Sequence, residues 1–250
     1  MLFISKSLAK KSTGISYLGS VNMTTKHKKA YEYNELTYGL YLAPANMSGY
    51  EVCPMRSKDC TELCLNGSGM SIVYENLIYN GRILKTKLFF EHRSFFMEWM
   101  IAEIKSAKTK AEKLNYRFSV RLNNTSDISP ESFYINIDGK NMNILEIFPD
   151  VQFYDYTKVP KRIELMKKYP NYDVTFSYSG YNLEVCENML KNDVRVAMVF
   201  TKVPETFMGY DVIDGDDYDM RYLDPKNVIV GLKFKRVKTK LTNQIKFVIQ

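Results

Sequence analysis

Short runs of consecutive apolar residues recur along the chain and alternate with stretches of helical period. TYGLYLA at Thr37–Ala43 reads as a strand stopped by Pro44, whose ring fixes φ and removes the N–H. Phe118–Leu122, Val151–Tyr156, Val174–Ser177, Val194–Phe200 and Val228–Leu232 read as further strands. From Ser71 to about Asn115 the pattern is helical. Phe89, Phe90, Phe96, Met97, Met100, Ile101 and Ile104 keep helical spacing there, a break is expected near Asn80–Gly81, and Lys105–Lys113 forms a charged end. Pro130–Phe133 and Asn143–Phe148 read as helical turns. Lys161–Lys168 reads as a helix between Pro160 and Pro170, and Leu183–Leu190 as another.

Strands alternating with helices at this spacing imply βαβ units and a parallel sheet. Near-continuous apolar strands imply that both sheet faces are covered. Five or six strands are too few for an eight-fold barrel. The expected fold is therefore α/β: a partial or irregular (β/α) barrel with parallel strands and a cysteine-rich loop after the first strand. A doubly wound sheet is the runner-up. Residues 1–35, polar and without clear period, read as a basic N-terminal arm, and residues 36–250 as a single α/β domain.

Composition narrows the class. With 250 residues, 45% hydrophobic and 25% charged, the chain is an ordinary globular protein, which excludes collagen-like, low-complexity and disordered readings. The net charge of +7 sits at the ends: residues 1–35 carry +4, residues 233–250 carry +6 with no acid, and the stretch between sums to −3. Basic ends attract phosphate backbones, so nucleic acid is a candidate partner. No apolar run approaches the ~18 residues of a membrane span, and no secretory leader is visible. The expected location is the cytoplasm, where thiols stay reduced.

That gives the cysteines their interest. Cys53, Cys60 and Cys64 lie in one loop, VCPMRSKDCTELC, spaced C-x6-C-x3-C. A helix starting near Cys60 would place Cys60 and Cys64 on one face at i and i+4. Thiolate-rich sites suit iron–sulfur clusters or zinc. Three thiolates can hold three irons of a 4Fe-4S cubane and leave the fourth open to a substrate. Zinc is the alternative, with His92 or Cys186 as a fourth ligand. Cys186, in the apolar pattern LEVCENML, reads rather as a packed core cysteine.

Ligands in α/β folds bind at the carboxyl ends of the strands. Polar groups crowd the ends of these strands, and Arg121, Asn123, Asp127, Asp155, Tyr156 and Lys158 are the candidate substrate-binding ring. Arg121 suits a carboxylate or phosphate, and Lys158 acts as a point charge. Helix capping by Asp127 and pairing of Asp155 with Lys158 are the plainer alternatives. The acidic run Asp214, Asp216, Asp217 and Asp219 reads as a polar loop over the site, with Mg²⁺ or Ca²⁺ binding, or simple pairing with Arg221 and Lys226, as its uses. No G-x-S-x-G, P-loop or G-x-G-x-x-G occurs, so hydrolase, NTPase and nicotinamide readings are weak.

The blocks LYLAPANMSGYEVCPMRSKDCTELCL, LKTKLFFEHRSFFMEWMIAEI, SVRLNNTSD, FPDVQFYDYTKVPKR, NYDVTFSYSGYN and ETFMGYDVIDGDDYDMRYLDPKNVIVGL resemble the gene product eighty-eight family of phage proteins. The resemblance covers about Leu36 to Lys235 and implies a phage origin, hence the host cytoplasm. A weaker resemblance is to radical S-adenosylmethionine enzymes, which join a partial barrel to a three-cysteine loop after the first strand. Their usual spacing is C-x3-C-x2-C with an aromatic residue before the last cysteine, where this chain has C-x6-C-x3-C and Leu63. The leading expectation is a phage iron–sulfur protein, with radical or redox chemistry at the strand ends and S-adenosylmethionine among the ligands open to it. The alternative is a nucleic-acid-binding, virion or host-interaction protein in which the cluster or zinc is structural.

Overall fold

The computed structural model describes residues 6–21, 25–64, 75–235 and 245–250. The chain opens with α1 (Lys6–Thr13), β1 (Gly19–Val21) and α2 (Thr25–Lys29) and enters the sheet at β2 (Glu35–Leu40). The cysteine loop follows and contains the single helical turn α3 (Lys58–Glu62). Two long helices, α4 (Glu75–Glu91) and α5 (Arg93–Lys113), lead to β3 (Arg117–Arg121). After a small hairpin, β4 (Ile135–Ile137) and β5 (Lys140–Met142), come α6 (Ile144–Ile147), β6 (Gln152–Thr157), α7 (Leu165–Lys168), β7 (Tyr172–Ser177), α8 (Leu183–Lys191) and β8 (Val196–Phe200). The last elements are β9 (Thr206–Phe207), β10 (Tyr210–Asp214), β11 (Ile229–Lys233) and β12 (Val248–Ile249).

The result is a mixed α/β fold on one large, mostly parallel sheet in the order β1-β2-β3-β6-β7-β8-β11-β10-β9. Strands β2, β3, β6, β7, β8, β11 and β10 run parallel in turn, and antiparallel pairs close the two edges, β1 on β2 and β9 on β10. Among the described residues the sheet does not return on itself and no closed barrel forms; the sheet is open, and the expected partial barrel is not evident. The two-residue strand β12 also runs parallel to β8, at Val199 and Phe200, beyond the point where β7 pairs with Val196 and Ala197. The C-terminal segment thus occupies the lane that β7 leaves.

Side chains alternate between the faces of a strand, and partners in register share a face. One face carries Tyr38, Leu40, Val120, Leu122, Phe153, Tyr172 and Val174, packed in a single core with Phe89, Phe96, Met97, Trp99, Met100, Ile101 and Ile104 of the long helices. Phe176, Val196, Met198 and Phe200 continue that face and pack on Cys186 and Leu190 of α8. The opposite face carries Glu35, Thr37, Ser119, Tyr154, Thr175 and Arg195, all buried. Both faces are covered, as the apolar runs imply, but one is covered through polar pairs. Thr37 and Ser119 share a hydrogen bond of 3.0 Å, Arg195 pairs with Asp173, and Tyr222 donates to Glu35.

Two local expectations change. Helix α4 runs unbroken through Gly81, and the break falls at His92, between α4 and α5. A lone glycine is tolerated inside a helix; His92, with φ −135° and ψ 56°, leaves helical geometry. The start of that pattern, at residues 71–74, lies outside the described residues. The segment expected as a basic arm supplies α1, β1 and α2, and its Ala9, Ile15 and Leu18 join the main core. Glu103 of α5 fastens it by accepting the backbone N–H groups of Leu18 and Gly19 and the Tyr38 hydroxyl.

Candidate functional site

The cysteine loop leaves β2 and is held over the carboxyl ends of the neighbouring strands by short polar contacts. Asp127 N–H donates to the Val52 carbonyl at 2.7 Å, and Ser57 Oγ donates to the Ser179 carbonyl at 2.6 Å. Ser57 also caps α3 by accepting from Cys60 N–H, the ordinary role of a serine in that position. Helix α3 ends at Glu62, so Cys60 and Cys64 are not a regular i, i+4 pair on one helix, and Cys64 N–H turns back to the Thr61 carbonyl.

Cys53, Cys60 and Cys64 are half-buried, Cys186 is fully buried, and none of the four is in a disulfide. Burial, the largest influence, pushes the Cys53 thiol up to about 12, and Cys64 adds to it. Lys158, which follows β6, lies within electrostatic range of these sulfurs. Burial alone would lower its ammonium, but Cys60, Asp127, Cys53 and Cys64 together hold it above its ordinary value. Lys158 also reaches Cys186, whose thiol burial raises to about 12. One half-buried cation therefore lies within electrostatic range of every cysteine in the chain. Among the described residues no three His, Cys, Asp or Glu side chains stand grouped as a metal site, so a metal would have to draw the loop thiols together. His92 is exposed at the junction of the long helices.

The other five candidate ring residues divide into two buried networks on opposite faces of the sheet. Asn123, Asp127 and Asp155 gather around Arg162, which lies 2.6 Å from Asp127, 3.3 Å from Asp155 and 3.8 Å from Glu131. Asn123 donates twice to Asp155, from its backbone and its amide. Asp127 accepts from Thr157 Oγ and from the backbone N–H of Lys158. Asp127 is thus a positioning residue, fixing the cysteine loop through Val52 and the Lys158 backbone through its carboxylate. Asp155 pairs with Arg162 rather than with Lys158.

Arg121 and Tyr156 lie on the other face. Arg121 pairs with Asp219 and stacks over the Tyr156 ring at 4.5 Å. His27 Nε2 approaches the same Asp219 oxygen at 3.5 Å. Burial works against the Asp219 carboxylate, but Arg121, His27 and Lys26 outweigh it and hold the carboxyl well below the usual range. Tyr156 and Tyr154 are pushed up, first by burial.

The acidic run therefore spreads over different cations. Asp216 pairs with Lys26 and Lys235, Asp217 with Lys29, and Asp219 with Arg121 and His27. Of the expected countercharges, Arg221 pairs directly with Asp224 and is influenced by Asp219 as well, and no ion pair of Lys226 with the run forms among the described residues. The sequence order of these groups gave no sign of Arg162 or His27. Their only signal was a charged or ionisable residue beside an apolar run.

The C-terminal segment lies against the cysteine turn. Asp59 accepts from the backbone N–H groups of Lys246 and Phe247, and Leu63 packs with Ile245 and Val248. Gly180 has φ +97°, and a Cβ there would meet Phe247 N at 2.9 Å. Gly180→Ala is expected to cost about 1–3 kcal/mol through that strain. It should also free the last residues, so carboxypeptidase should remove them faster than from the parent protein while the thermal midpoint falls.

These features define a mixed α/β protein with a thiol–lysine cluster at the carboxyl end of a mostly parallel sheet. The family model described as Gene product 88 matches residues 5–249, and the chain belongs to that family. No curated protein and no solved structure matches. The family match bears on the phage-protein resemblance and lends nothing to the likeness to radical S-adenosylmethionine enzymes. Among the described residues, no helix is long and apolar enough to cross a membrane.

Proposed function

We propose that Cys53, Cys60 and Cys64 hold an iron–sulfur cluster beside Lys158, and that the protein acts through it at the carboxyl ends of the strands. The observation that carries this reading is that all three loop thiols lie within electrostatic range of Lys158 and, with Asp127, hold its ammonium above the ordinary value. Three thiolates outweigh the positive charge of a four-iron core, so the bound cluster is an anion, and a half-buried ammonium is its natural counterion. The donor set fits as well: three soft thiolates from one short loop, with no histidine nearby in sequence. When bound, the cluster supplies one-electron chemistry, and three ligands leave one iron for substrate or S-adenosylmethionine. This chain supplies charge through Lys158, loop position through Asp127, and cover through the C-terminal segment.

The test is the absorption spectrum of protein purified without oxygen, with iron, sulfide and zinc quantified. Broad absorption near ~400 nm is expected from thiolate-to-iron charge transfer, and each of Cys53→Ala, Cys60→Ala and Cys64→Ala should lose it. Lys158→Met should keep the cluster but lower its reduction potential, because the ammonium favours the more negative reduced state. Iron retained in all three cysteine variants would overturn the assignment. A colourless, zinc-bearing protein would make the loop a structural staple instead. A spectral change when S-adenosylmethionine meets the reduced protein would mark an enzyme.

A further inference from the structure

The fold brings the two basic ends of the chain to one place. A cavity of about 470 Å³ is lined by Lys26 and Lys29 of α2, by Lys233, Phe234 and Lys235 at the end of β11, and by Asp216. Asp216 organises the wall: it lies 3.1 Å from Lys26 Nζ and 3.4 Å from Lys235 Nζ, and it accepts the Lys233 backbone N–H at 2.8 Å. Lys29 leans on Asp217 at 3.3 Å. Four ammonium groups thus face two carboxylates, and the wall keeps a positive excess. We propose that this cavity binds the phosphate backbone of a single-stranded nucleic acid, with Phe234 as the surface on which a base stacks.

Two features favour that ligand over a free anion. The volume is of the size that holds a nucleotide-sized ligand. Phe234 is half-buried and packed on the cluster of Leu63, Ile245 and Val248, so its ring is held in place at the cavity wall. An aromatic face among lysines is the usual platform for a single strand, since every base offers a π-face. The lysines also crowd one another: burial first, and Lys235 among the charges, lower the Lys26 ammonium, although Asp219 and Asp216 oppose this. A phosphate in the cavity would relieve that repulsion. The inference is independent of any cluster at the cysteine loop.

The test is fluorescence anisotropy of a labelled single strand of about 15 nucleotides with the full chain, between about 50 and 200 mM salt. Binding is expected at low salt and should weaken steeply as salt rises. Lys233→Gln combined with Lys235→Gln, both at exposed positions, should weaken binding about tenfold or more and flatten the salt dependence. Phe234→Leu, which keeps apolar packing but removes the ring, should weaken it about fivefold or more with the salt dependence unchanged. Ultraviolet crosslinking of the unaltered protein to a bromouracil strand should label the peptide containing Phe234, which checks the site without any variant. Absent binding at low salt, equal binding by the lysine variant, a crosslink mapped only elsewhere, or preference for anionic vesicles over the strand would each overturn the proposal.

Discussion

Arg162→Ala is expected to destabilise the protein by about 3–5 kcal/mol at neutral pH, read as a fall in the urea midpoint with little change in slope. Arg162 is 2% exposed and faces Asp127, Asp155 and Glu131, all buried, and it donates to the Tyr172 hydroxyl. Burial already raises Asp155 and Glu131 despite the guanidinium beside them. Without it, buried carboxylates stand with no counterion, and leaving a charge unpaired costs far more than the pair contributed. The loss should shrink as pH falls, because protonation neutralises the orphaned acids. A variant that keeps its stability at pH 7, or loses more of it at pH 5, would refute this account. Since Asp127 also holds Val52 and the Lys158 backbone, the thiols should become more reactive toward alkylating reagents in the same variant.

Asp219→Asn should cost a similar amount, about 3–5 kcal/mol, at pH 7, for the converse reason: it strands the Arg121 guanidinium on the polar face of the sheet. The sign of its pH dependence follows from the depressed carboxyl. Above the unfolded value of about 3.9 the contribution is complete. As pH falls below that value the unfolded state takes up the proton first, and the contribution is lost on approach to the lower folded value. The gap in urea midpoint between parent and variant should therefore be widest at neutral pH and narrow below about pH 4. A constant gap across that range would show that Asp219 stabilises by packing and not by charge.

Both predictions concern buried ionic networks that flank the parallel strands, and that placement was only half legible in the sequence. The strands at Arg117–Arg121, Gln152–Thr157, Tyr172–Ser177, Val196–Phe200 and Ile229–Lys233 follow the apolar runs closely, because a strand between two covered faces must be apolar on at least one of them. β1, β9, β10 and β12 left no such trace. They are two to five residues long, lie at or beside the edges or in a vacated lane, and take their strand geometry from the strands they pair with. The break at Gly81 was misplaced for a related reason: glycine's modest helix penalty is outweighed when Leu88 and Phe89 are fixed in the core.

Of the candidate site, the sequence alone determined the chemistry on offer: three thiols within twelve residues, lysines at both ends, and polar groups at the strand ends. Local spacing limits how far apart those thiols can lie. Only the tertiary structure decided which groups meet. It set Lys158 within electrostatic range of the cysteines, enclosed Asn123, Asp127 and Asp155 around Arg162, and paired Arg121 with Asp219. It also brought Lys26 and Lys235, more than two hundred positions apart, onto one aspartate. Such meetings depend on strand order and register, which place residues from distant segments side by side, and no local pattern of hydrophobic and polar positions encodes them.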